Sequence, residues 1–97
     1  MTTEEILEAL QETADDAPED EPLLLADGFE DALLGTLEGC GRPTVLCYDY
    51  DRCIEILIER DGMTEPDAHE WMSFNVVGSY VGKTTPLWLH NLRARPV

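Results

Sequence analysis

The sequence predicts an α+β domain. Its expected core is a small, mostly antiparallel sheet of about four short strands, covered by two helices and preceded by an acidic N-terminal helix. Three observations lead there. Between positions 23 and 48 the apolar residues come in short runs broken by Asp-Gly and Gly-Cys-Gly, the pattern of strands and turns. From about 50 to 81 the spacing of apolar residues becomes helical. The chain has 97 residues, enough for one domain with one modest core.

The helix at 3–14 follows from its cap and its faces. Thr2, with Glu5 three residues on, makes a capping box, and acids in the first turn suit the positive end of the helix dipole. Ile6, Leu7, Leu10 and Ala14 fall on one side; Glu4, Glu8 and Glu12 fall on another. The apolar run 23–26, ended by Asp27-Gly28, reads as a strand and turn. The runs 32–38 and 43–48 read as two more strands, joined through Gly39-Cys40-Gly41-Arg42.

At about 50–61 the stripe Cys53, Ile54, Leu57 and Ile58 predicts a helix, with Asp49 or Asp51 as N-cap and Gly62 just past its end. Thr64 caps a second helix over 64–81, whose first turn accommodates Pro66 and Asp67. This helix is apolar nearly all round from Trp71 to Val81, which places its second half at the centre of the core. The expected buried set between the helices is Ile54, Leu57, Ile58, Trp71, Phe74 and Val77. Gly78 inside it costs about 1 kcal/mol relative to Ala and marks a close approach to another element. Gly82 ends it, and 86–89 forms the last strand.

Twenty-one acids against six bases give a net charge of −15. Such a field repels nucleic acid and anionic membranes, so the expected partner is a protein with a basic surface. The charge is uneven: residues 1–22 hold nine acids and no base, and after Glu70 there are only bases. The division that follows is an acidic helix and linker at 1–22, a core domain at 23–90 and a flexible tail at 91–97. No apolar run approaches the roughly 18 residues of a membrane span, and the acidic N-terminus is unlike a secretory signal. Three cysteines, an odd count, agree with a reducing compartment.

Several strings along the central part of the chain form a spaced pattern. They are Gly28-Phe29-Glu30-Asp31-Ala32-Leu33-Leu34-Gly35, Val45-Leu46-Cys47-Tyr48-Asp49 leading into Ile54-Glu55-Ile56-Leu57, and Glu59-Arg60-Asp61-Gly62-Met63-Thr64-Glu65. With Phe74-Asn75-Val76-Val77-Gly78-Ser79-Tyr80-Val81-Gly82 and Thr85-Pro86, they resemble a group of small uncharacterised proteins of tailed bacteriophages, over roughly residues 23–90. The resemblance carries no activity. It implies a protein acting in the cytoplasm of an infected bacterium.

Most chemical motifs fail on spacing. Gly82-Lys83-Thr84 would end a phosphate-binding loop only with a glycine at 77, where Val77 stands. His69-Glu70 opens a zinc-protease pattern whose second histidine is replaced by Ser73. Cys40, Cys47 and Cys53 are too far apart for a zinc knuckle, and Cys47 and Cys53 occupy expected core positions. Asp49-Tyr50-Asp51 lacks the glycine of a calcium loop and reads as a helix cap. No catalytic residue, metal ligand or cofactor is assigned.

Two clusters remain as a candidate ligand pocket, Asp27, Glu30 and Asp31 around Gly28, and Ser73, Asn75 and Tyr80 in the apolar helix; the structural alternatives are turn-forming and capping acids and an Asn75 that ties down a neighbouring loop's backbone. Neither cluster contains a nucleophile with a matching base. The acidic segment offers Glu4, Glu5, Glu8, Glu12, Asp15, Asp16, Glu19, Asp20 and Glu21 for partner binding. Its charges are spaced along a helix about as closely as the phosphates of one DNA strand, near 3.4 Å. The expected function is therefore a non-enzymatic binding protein directed at a host or phage protein. Nucleic-acid-handling or anti-phage defence machinery is the expected class of target, engaged through a DNA-mimicking surface. The alternatives are a small metal- or ligand-dependent enzyme using the Asp27/Glu30/Asp31 turn and a homo-oligomeric accessory protein.

Overall fold

A computed structural model describes residues 2–15 and 22–94. The first helix, α1, spans Thr3–Asp15. Its capping box is formed: Thr2 Oγ1 accepts from the Glu5 N–H at 3.2 Å, and the Thr2 N–H reaches Glu5 Oε1 at 3.4 Å. Ile6, Leu7 and Leu10 pack against the core, and the Thr3 hydroxyl donates to Asp31 Oδ1 at 2.6 Å.

The run 23–26 is not a strand. It lies outside the sheet without regular structure, and the Ala26 N–H donates to the Tyr48 hydroxyl at 2.7 Å instead of to a neighbouring strand. A turn and a short 3₁₀ segment, Glu30–Ala32, lead into β1, Leu33–Gly39, which pairs antiparallel with β2, Arg42–Asp49. Gly39 pairs with Arg42, which leaves Cys40-Gly41 as the turn, and Gly41 takes a φ of 72° that a side chain would resist. Leu33 opposes Tyr48 and Gly35 opposes Cys47, so Leu34 is a bulge.

Next come α2, Tyr50–Asp61, and α3, Glu65–Met72. Asp49 caps α2 by accepting the Arg52 N–H, Gly62 closes it in the left-handed conformation, and Thr64 caps α3 through the Asp67 N–H. The last strand, β3 (Leu87–Leu89), runs parallel to β2 and completes a three-stranded mixed sheet in the order β1-β2-β3. The expected four-stranded, mostly antiparallel sheet is thus corrected on both counts. The two helices between β2 and β3 act as a crossover, which allows a parallel return that a hairpin could not make.

The helix expected over 64–81 is also shorter. After Met72 the chain widens into a π-turn, Ser73–Val77, and stops at Gly78, whose N–H bonds the Ser73 carbonyl at 3.1 Å. Ala68 and Met72 are fully buried, and Val76, four residues on, packs against the core. Phe74, two residues from Met72, therefore points the other way and is 78% exposed. Val77 and Ile58 are exposed as well, while Ile56 is buried beside Ile54 and Leu57. Gly78 does make a close approach, but to its own turn: a Cβ there would sit 2.7 Å from the Ser73 carbonyl oxygen.

One face of the sheet carries Leu33, Leu46 and Tyr48 into a core shared with Phe29, Cys53, Leu57 and Met72. Trp88, opposite Tyr48, stacks on it at 6.0 Å. The other face carries Leu37, Val45, Cys47 and Leu87, by register, and is not part of that cluster.

Candidate functional site

The outer side of α1 is a row of carboxylates. Glu4, Glu5, Glu8 and Glu12 are exposed, and Glu4, Glu8 and Glu12 make no ion pair among the described residues. The docking of Ile6, Leu7 and Leu10 fixes which way the row faces. Asp15 ends the helix, and Asp16, Glu19, Asp20 and Glu21 lie outside the described residues.

The acids of the 27–31 turn do not converge. Glu30 Oε1 accepts the Gly28 N–H at 3.2 Å, and Asp31 is held by Thr3. Both border a charged cleft with Arg52, Glu59 and Arg60. Arg60 spans it, donating to the Gly28 carbonyl at 2.8 Å and resting 5.6 Å over the Phe29 ring, while Arg52 pairs with Glu55 at 2.9 Å. The Arg60 contacts staple the loop to α2, while the ion pairs of the two arginines go to Glu55, Glu59 and Asp61 of α2 rather than to Glu30 or Asp31. Asp27 faces a separate cavity of about 410 Å³ between Leu24 and Val76, together with Phe29, Trp71, Asn75 and Trp88.

Asn75 and Tyr80 are likewise apart. The Asn75 amide donates to the Trp71 carbonyl of its own helix at 3.1 Å, and Asn75 is exposed. Tyr80 lies on the other side of the 77–85 segment, in an open groove of about 950 Å³ over the second face of the sheet. Leu37, Val45, Leu87 and Trp88 line this groove, with Arg42 and Lys83 among its borders.

The residues that sequence reasoning missed surround Tyr50. Both histidines of the chain meet it: His69 Nδ1 is 2.8 Å from the Tyr50 hydroxyl, and the His90 ring stacks on the phenol at 4.2 Å. His69 Nε2 also faces Glu65 at 3.8 Å. No local spacing announces this cluster. It forms because Asp49 registers with Leu89 in the parallel pair, which brings the next residues, Tyr50 and His90, together. Burial, with help from Asp51 and Cys53, pushes the Tyr50 phenol up, so it stays protonated and serves as a hydrogen-bonding partner rather than a nucleophile.

The thiols shift the same way. Burial drives Cys53 up to about 11 and raises Cys47, with Asp49 adding to both. The Trp88 indole N–H opposes the Cys53 shift without reaching a hydrogen bond to any described residue. Cys40, in the hairpin turn, is exposed. Among the described residues no group of three or more His, Cys, Asp and Glu is placed to hold a metal ion, and no helix is long and apolar enough to cross a membrane. Comparison with family models, curated proteins and solved structures finds no match to the chain.

Proposed function

We propose that this chain is a non-enzymatic binding protein that engages a basic surface on another protein through the outer face of α1. The observation that supports it is the unpaired row Glu4, Glu8 and Glu12 on a helix whose opposite side is docked. With Glu5, four carboxylates lie along about 12 Å of helix, close to the charge spacing of a nucleic-acid strand. A helix anchored in this way presents its charges without first having to be ordered, which lowers the entropic cost of association. Taken with the resemblance to small phage proteins, the target proposed is a nucleic-acid-handling or anti-phage protein of a bacterial host.

Capture from bacterial lysate tests it, comparing the unaltered protein with the triple variant Glu4→Lys, Glu8→Lys, Glu12→Lys. The expected result is a basic partner that elutes as salt rises, competes with duplex DNA, and is absent from the triple-variant sample. If the variant retains the same partner at the same salt, the acidic face is not the contact and this reading fails.

A further inference from the structure

The open groove on the second sheet face differs from the rest of this molecule in charge. Its floor is apolar, because Leu37 opposes Val45 and Cys47 opposes Leu87 in the two strand pairs, which sets these side chains on one face. Tyr80 rises beside them. The floor is covered in part: Val45 and Cys47 are buried, whereas Leu37 and Leu87, and Tyr80 beside them, are 44%, 53% and 77% exposed. Exposed apolar side chains gathered in one concave groove with polar residues at its rim form a surface that a partner can cover.

The borders decide what would occupy it. In a chain with 21 acids and only six lysines and arginines, Arg42 and Lys83 both border this groove, against one carboxylate among the described residues, Glu38. Neither Arg42 nor Lys83 makes an ion pair among the described residues, whereas Arg52 and Arg60 are paired with acids of α2. Two unpaired cations over an apolar floor complement a ligand with apolar side chains flanked by carboxylates. A second copy docked face to face would bring the same cations toward one another. A small molecule would be left largely uncovered, since pockets for such ligands enclose most of their surface.

We propose that this groove docks an acidic, apolar peptide segment of another protein, on the opposite principle to the α1 face and independently of it. Tyr80 would supply the amphipathic anchor that such contacts favour, and Arg42 and Lys83 would set polarity and register.

The test uses the whole chain and a short fluorescein-labelled peptide of alternating leucine and glutamate, with its leucine–lysine counterpart as control. Fluorescence anisotropy should show the acidic peptide binding; the lysine peptide, drawn instead to the α1 carboxylates of a chain of net charge −15, should leave the amides around Tyr80, Lys83 and Leu87 unshifted. Backbone amide shifts should change around Tyr80, Lys83 and Leu87 while those of α1 stay in place. Tyr80→Ser and Leu87→Ser, both at exposed positions, should each weaken binding about ten-fold while the far-UV spectrum is kept. The pair Arg42→Glu with Lys83→Glu should weaken it by at least about ten-fold and let the lysine peptide shift the groove amides. The triple α1 variant should bind the acidic peptide unchanged, which separates this proposal from the preceding one. It is overturned by no binding of the acidic peptide at about 1 mM, by equal shifts of the groove amides with the two peptides, or by shifts from the acidic peptide centred elsewhere. It is also overturned if sedimentation shows a dimer that Tyr80→Ser dissociates, because the groove would then belong to a second copy.

Discussion

Cys53 shows how a single buried side chain links pH to stability. Its thiol is fully buried and holds its proton to about pH 11, against the usual value near 8.5 for an unfolded chain. The folded pKa is the higher one, so the contribution is fully present below about pH 8.5 and is lost as pH rises through 11. Urea unfolding at pH 8 and pH 11 should show a drop of about 2–3 kcal/mol traceable to this group. In Cys53→Ala the alkaline drop should be smaller by that amount; an identical drop would mean the thiol is not the cause. At neutral pH a thiol reagent should label Cys40 at once and leave Cys47 and Cys53 untouched until the protein unfolds. The same scale separates two large apolar residues that both lie on helical segments. Leu57→Ala should cost about 2–5 kcal/mol, since Leu57 is fully buried, and Phe74→Ala, at an exposed site, less than about 0.5 kcal/mol.

At the scale of the elements, legibility followed local constraint. The hairpin and α2 could be read because their ends are marked by residue type: Gly41 at a positive φ, Asp49 at the N-cap, Gly62 at the close. The third helix had a marked start, Thr64, but no marked end. Its sequence from Trp71 onward is apolar on every side, so periodicity gave no phase and could not tell Val76, packed inward, from Phe74, turned outward. The widened turn at Ser73–Val77 was equally invisible, and Gly78, read as contact with another element, answers to the Ser73 carbonyl within it. An added methyl at 78 would sit 2.7 Å from that oxygen, although the φ of −79° suits any residue. Gly78→Ala should therefore destabilise the protein in spite of alanine's better helix propensity, with amide exchange quickening at Gly78 and Ser79. A gain in stability would show that the turn can relax into ordinary α-helix at no cost.

Across the whole molecule, what sequence reasoning could not supply was the return path of the chain. The direction of β3 depends on how two helices cross the sheet, and no local pattern encodes it. The meeting of Tyr50, His69 and His90 and the open second face both follow from that return. The candidate acids were legible as residues but not as neighbours: Glu30 and Asp31 share a cleft with Arg52 and Arg60, while Asp27 faces away from them.

The placement of α1 gives a test at this scale that separates its packing from its charge. Its inner residues Ile6, Leu7 and Leu10 are each half-buried against the core, so deleting residues 1–21 should cost about 2–4 kcal/mol of stability. Deletion would also remove nine like charges, which acts in the opposite direction and most strongly at low salt. The two effects are pulled apart by Glu4→Lys, Glu8→Lys, Glu12→Lys, which keeps the packing and moves the net charge from −15 to −9. That variant should melt at or above the temperature of the unaltered protein in low salt, and the difference should shrink as salt screens the repulsion. The truncated chain should melt lower at every salt concentration. Should truncation instead leave the melting temperature unchanged in high salt, α1 contributes no packing, and its carboxylates are not held in a fixed row for a partner to meet.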